Sequence, residues 1–222
     1  MERKIFLSVF IAALIAVALA ILLPGGRTVD EHPRLPWLIQ VDERGQSTVF
    51  GLTLGRSSLA EAREAFQEQG KTNLFISPAE RFYFETYFKG LYLGGIRADM
   101  VFSLDVDPAT ALQLYDRGLR ISQLGDGTRK VELAQPDLDL LGQAQVVHIT
   151  YMPGTNLEPD LIAARFGEPA RRIVEASGIT HWLYPDRGLD IAVNPDGREV
   201  FQYVIPARFS ELLDPLEAQP TR

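Results

Sequence analysis

Between Ile5 and Leu23 the chain has nineteen residues without a charge, and Ser8 is their one weakly polar side chain. Coiled as a helix at 1.5 Å per residue, such a run spans about 28 Å, the thickness of a bilayer's hydrocarbon core. Its thirteen Leu, Ile, Val and Phe residues favour insertion by about 4 to 8 kcal/mol. Arg3 and Lys4 precede the run, whereas Asp30 and Glu31 follow it, so the positive-inside rule places the N-terminus in the cytoplasm. Eighteen arginines against four lysines suit a GC-rich bacterial genome, in which the far side is the periplasm. The expectation is a single-pass inner-membrane protein held in the lipid bilayer through residues 5–23 by a signal-anchor helix.

A cleaved signal peptide competes with this reading, because Ala18-Leu19-Ala20 has the small-x-small form of a cleavage site. The apolar run exceeds the usual length and continues to Leu23, which favours an uncleaved anchor. Ser8, Ala12, Ala16 and Ala20 recur every four residues and would give one helix face small side chains for packing against a second helix. The plainer account is that alanine is common in membrane helices.

The rest of the chain is long enough for a substantial core, and with no cysteine it has neither disulfides nor thiolate chemistry. A formal net charge of −7, with both signs interspersed, repels phosphate backbones, so nucleic acid is not expected as a partner.

Organisation follows from local signals. Residues 1–24 form the cytoplasmic N-terminus and anchor. Residues 25–46, with Gly25, Gly26, Pro33 and Pro36, read as a tether, and Trp37 is placed to dock it. A first module, 47–108, opens with Ser58 as N-cap, Glu61 three residues later, and Leu59, Ala62 and Phe66 on one helix face up to a stop at Gly70. Alternation through residues 81–88, a turn at Gly90 or Gly94-Gly95, and a segment near Asp99–Val106 read as antiparallel strands. A connector, 109–147, carries a helix at Ala109–Asp116 and a hairpin about Gly125-Asp126-Gly127, and leads into the apolar strand Val146–Tyr151. The second module, 148–206, repeats the order: a cap at Asn156, a short helix through Leu157, Leu161 and Ile162 with Leu161 and Phe166 on its apolar side, then strands at 181–184, 188–193 and 199–205. A tail covers 207–222.

Ser58 lies 98 residues before Asn156, and the same offset lays Phe84 on Trp182 and Gly90-Leu91 on Gly188-Leu189, which suggests an internal repeat. The fold class expected is α+β, a transmembrane helix followed by two helix-plus-antiparallel-sheet modules.

Leu54-Gly55-Arg56-Ser57-Ser58-Leu59, and Arg165-Phe166-Gly167-Glu168-Pro169 followed by Trp182 and Tyr184, resemble the small SmpA/OmlA modules of the BamE-type lipoprotein, a fold also seen in β-lactamase inhibitor proteins. The resemblance covers about 50–108 and 148–206. It implies modules that bind proteins and do no chemistry. The chain departs from that family in lacking a lipidation cysteine and in its apolar N-terminal helix.

No catalytic, cofactor or metal site emerges from the residues. His32, His148 and His181 are scattered, and a structural histidine is the better account of the last two. No Gly-x-Ser-x-Gly elbow is present, and Ser57-Ser58 is explained by capping. The glycines of residues 90–95 lie between strands and do not build a phosphate cradle. Asp105 with Asp107, and Asp137 with Asp139, lack the glycine and distal glutamate of a calcium loop. The aromatic run is the most unusual local feature, since rings fall on both faces of its strand. Burial on both sides is the preferred reading. The alternative is a partner-binding platform of Phe82, Tyr83, Phe84, Tyr87, Trp182 and Tyr184. The function expected is protein–protein contact with envelope or membrane proteins, as a scaffold or accessory factor without cofactors. The rival expectations are an envelope hydrolase using His148 or His181 with carboxylates, and a small-ligand sensor.

Overall fold

The computed structural model describes residues 34–195 and 197–218. Among them, ten strands form one antiparallel sheet, and three short strands form a second. The small sheet is β1 (Gln40–Val41), β2 (Ser47–Val49) and β3 (Leu52–Thr53). Then come α1 (Leu59–Phe66), β4 (Lys71–Ile76), β5 (Phe82–Leu93), β6 (Ile96–Asp105), α2 (Pro108–Asp116), β7 (Arg120–Gln123) and β8 (Arg129–Glu132). The remainder is α3 (Gln135–Leu141), β9 (Gln145–Pro153), α4 (Pro159–Phe166), β10 (Arg171–Val174), β11 (Thr180–Tyr184), β12 (Leu189–Val193), β13 (Val200–Val204) and α5 (Ser210–Glu217). The spatial order of the large sheet is β10-β11-β12-β13-β9-β6-β5-β4-β8-β7.

Local chemistry accounts for several of these elements. Ser58 accepts a hydrogen bond from the Glu61 amide while the Glu61 carboxylate accepts one from the Ser58 amide, a complete capping box that starts α1. Asp107 caps α2 through the amides of Ala109 and Thr110, with Pro108 at the first helical position. Asn156 is not a cap. α4 starts after Glu158 without a side-chain bond, and the Asn156 amide nitrogen instead donates to Glu199 and to the Gly197 carbonyl. Leu161 is exposed, and Ile162 takes the buried place beside Phe166. The tight turn after β5 is at Gly94-Gly95, whereas Gly90 sits at a register shift within the β5–β6 pair, at φ +65°.

One face of the large sheet carries the core. Paired residues share a face, so Phe102 with Ile149 and Tyr203, and Met100 with Tyr151 and Phe201, line a single apolar layer. Phe66 of α1 packs on Phe88 and Phe102, and Phe166 of α4 packs on Tyr184 and Phe201. Ala111 and Leu114 of α2, Leu141 of α3, and Val49, Phe50 and Leu52 of the small sheet complete the same core. Trp37 sets its ring edge-on to Phe166 beneath the Arg165 guanidinium, and Tyr203 donates its hydroxyl to the Pro36 carbonyl.

The two-module expectation is corrected by β9. This strand, expected to open a separate second module, pairs with β6 on one side and β13 on the other, and so joins everything into one sheet. The repeat fails on handedness. Both β6 and β13 run antiparallel to β9, hence parallel to each other, and the two meanders leave β9 in opposite directions. α1 and α4 nevertheless lie on the same face, so laying one meander over the other in strand order would put its helix on the wrong side. The counts differ too, with three strands after α1 and four after α4.

The membrane expectation is corrected as well. Among the described residues no helix is long and apolar enough to cross a membrane. The longest, α2, has nine residues, which at 1.5 Å each cover about 14 Å of a core about 30 Å thick. The run Ile5–Leu23, with Ser8, Ala12, Ala16 and Ala20, lies outside the described residues, and so does His32. The expectation of a single-pass, signal-anchored inner-membrane protein with a periplasmic domain thus finds no spanning helix among the described residues.

Candidate functional site

Among the described residues, the second face of the large sheet is covered at one end only. There α5 lays Leu212 and Leu216, with Phe209 before it, on Ile173, Leu183 and Val204. From β9 across to β7 no helix among the described residues contributes to a core on that side. Alternation along β5 sends Phe82 and Phe84 into the core and turns Tyr83 and Tyr87 to the open face. Tyr83 is 44 % exposed and Tyr92, nearer the hairpin, 75 %. The register continues outward from Tyr83 through Phe75 of β4 and Lys130 of β8 to Ser122 of the edge strand β7.

The six aromatic residues singled out in the sequence are thus split. Phe82, Phe84, Trp182 and Tyr184 belong to the core side, with Trp182 also under the Arg172 guanidinium and the Tyr184 hydroxyl donating to the Gly167 carbonyl. Only Tyr83 and Tyr87 reach the open face. Tyr87 donates its hydroxyl to Asp99 at 2.6 Å, and Asp99 also accepts the Gly90 amide at 2.7 Å. The Tyr87 hydrogen bond is the main reason the Asp99 carboxyl sits below its ordinary range, with Gly90, Lys89 and Arg97 adding to it. Nearby, burial pushes the Glu85 carboxyl up.

The two edges of the sheet differ. On β10, Arg171 pairs with Glu217 and Arg172 with Glu168, the charged protection usual for a free edge. β7 has all four residues exposed, and the segment around it presents Leu119, Ile121 and Leu124 to solvent.

Under the covered end lies a cluster that sequence reasoning missed. His181 directs Nδ1 to Asp190 at 2.8 Å and Nε2 to Glu175 at 3.1 Å. Asp190 is 1 % exposed and Gln202 also donates to it. Burial alone would lower the His181 pKa, but the hydrogen bonds and charges of Asp190 and Glu175 outweigh it and hold the ring above its ordinary value. The signal was present in part, since a hairpin through Gly178 sets Glu175 beside the ring, but nothing in the spacing of Asp190 revealed its partner.

This geometry is a poor fit for hydrolysis. A histidine that activates a nucleophile keeps one ring nitrogen for it, and here both face carboxylates. His148 is half-buried on β9, its Nε2 is buried without a hydrogen-bond partner among the described residues, and burial lowers its pKa to about 4. Ser58 is spent on its cap, and Ser57 accepts the Thr53 amide. Asp137 forms an ion pair with Arg117, Asp139 accepts from Gln135, and Asp107 caps α2. No group of three or more His, Cys, Asp or Glu among the described residues is arranged to hold a metal ion.

Compared with known proteins, the chain matches no family model, no curated protein and no solved structure. The SmpA/OmlA resemblance accordingly rests on its short sequence motifs.

Proposed function

We propose that this chain is a non-catalytic binding protein that docks a partner protein on the open face of its ten-stranded sheet. The observation that carries the reading is the asymmetry of the sheet. Among the described residues, four helices and a small sheet cover one face, while six strands, β9 to β7, have no helix over the other. Ladders of three to eight paired residues across the five inter-strand gaps, at about 4.8 Å by 3.4 Å per pair, give a surface of roughly 470 Å2. That is over half of the roughly 800 Å2 each partner buries in a standard protein–protein interface. Tyr83, Tyr87 and Tyr92 supply the amphipathic rings enriched in such interfaces. The unprotected β7 edge extends the same surface, and the mode of action agrees with what the SmpA/OmlA motifs imply.

The test is co-isolation with the full chain as bait, comparing wild type with Tyr83→Ala and Tyr92→Ala combined. Neither ring belongs to the core, so melting should shift by no more than about 2–4 °C, as expected for two surface changes each worth less than about 0.5 kcal/mol. A specific partner should be recovered with the wild type and lost from the double variant. Equal recovery with both would overturn the assignment of the open face.

A further inference from the structure

A cavity of about 430 Å3 opens on the sheet where the β5–β6 hairpin meets the end of β9 and the start of β13, lined by Lys89, Arg97, Asp99, Gly154, Arg198 and Glu199 among others. We propose that this cavity binds a small oxyanion, a ligand bearing a carboxylate or phosphate group. The site is independent of the partner-docking reading, because it needs no protein to fill it.

Hydrogen-bond accounting decides the sign of the ligand. Both carboxylates in the lining are satisfied from within the chain. Asp99 accepts from the Tyr87 hydroxyl and the Gly90 amide, one bond to each oxygen. Glu199, 2 % exposed, accepts from the Leu157 amide at 2.8 Å on one oxygen and from the Asn156 amide nitrogen at 2.7 Å on the other. A bound cation would have to compete with those donors. The three basic groups are in the opposite state. Lys89 and Arg97 act on Asp99 through space, yet among the described residues no side chain of Lys89, Arg97 or Arg198 makes a hydrogen bond or a close ion pair. The free capacity of the cavity is therefore mainly that of donors, thirteen N–H groups in two guanidinium forks and one ammonium.

The backbone is shaped to keep these groups where they are. A Cβ on Gly90 would stand 3.1 Å from the Arg97 guanidinium, so the glycine lets that fork lie across the strand. A Cβ on Gly154 would come within 2.9 Å of the Arg97 carbonyl, to which the Gly154 amide donates. Arg97 is thus fixed at its main chain by Gly154, just after β9, while its side chain stays exposed and without a hydrogen bond among the described residues. Guanidinium forks match the two oxygens of a carboxylate or phosphate. The volume lies within the range of small-molecule sites, about 300 to 1,000 Å3. For a chain with a net charge of −7, three unpaired cations around one cavity also mark the place an anion would approach against the general repulsion.

The experiment is calorimetric titration of the full chain with sodium phosphate and, separately, with sodium malonate, at an ionic strength held constant with sodium chloride. One of the two should bind saturably at a single site, and the tighter of them assigns the ligand group as phosphate or carboxylate. Arg97→Gln and Arg198→Gln should each weaken that binding about three- to tenfold, and the double variant should abolish it, with melting in chloride unchanged. Lys89→Gln, on a third exposed side chain, gives the same readout should either arginine variant lose stability. Absence of saturable binding by both anions, or equal affinity in wild type and the double variant, would overturn the site.

Discussion

Truncating Phe166 to alanine probes the joining of both halves of the chain through one sheet. Its side chain is 2 % exposed and meets three rings, Trp37 at 6.4 Å, Tyr184 at 6.2 Å and Phe201 at 5.6 Å. Loss of a fully packed phenylalanine costs about 3–5 kcal/mol, and the ring contacts it abandons place this site toward the upper part of that range. For a body of this size each kcal/mol moves the melting temperature by about 2–4 °C, so a fall of roughly 6–20 °C is expected. Phe66→Ala, which removes contacts with Phe88 and Phe102 on the other side of β9, should act similarly. The informative part is the form of the transition. Because β9 pairs with β6 and β13 at once, either variant should shift one cooperative transition, seen by calorimetry and by urea unfolding with unchanged slope. Two separable transitions, with each variant lowering only one of them, would refute the single-sheet account.

The histidines predict opposing pH effects on stability. His148, held down to about 4, stays neutral in the fold while the unfolded chain protonates it below about 6.5, so roughly 3 kcal/mol should be lost between pH 6.5 and 4, and His148→Gln should flatten that slope in urea titrations. His181 is raised, so its contribution is complete below about pH 6.5 and is lost as pH rises through its folded value; His181→Gln should remove that alkaline decline, and an unchanged slope would refute the role of the cluster. Gly188→Ala should cost about 2–5 kcal/mol, since its Cβ would fall 2.0 Å from the Val204 carbonyl oxygen at φ +63°; a near-neutral melting change would contradict the tight β12–β13 approach.

Local elements were legible in the sequence because their signals are local. The Ser58–Glu61 box, the alternation from Phe82 to Phe88, and the Gly125–Gly127 turn each depend on neighbours a few residues apart, and each appears in place. What was not legible is long-range pairing. Val146–Tyr151 reads equally well as the first strand of a module or as the middle of a sheet, and only its two ladders distinguish these. The repeat offset matched residue types without reporting strand direction, which is where the two halves differ. Of the six aromatic residues, alternation separates Tyr83 and Tyr87 from Phe82 and Phe84, but which face a helix covers is a tertiary fact. The cation-lined cavity gathers Lys89, Arg97 and Arg198 from segments about a hundred residues apart, and no spacing rule joins them.

The open sheet face is the central claim, and site-specific photocrosslinking in the full chain tests it most directly. A photoreactive residue replacing Tyr83 samples the open face, and one replacing Leu161, exposed on α4, samples the outer side of the helix layer. The account predicts a discrete crosslinked protein from position 83 and none from position 161. Crosslinking from position 161 alone would contradict it.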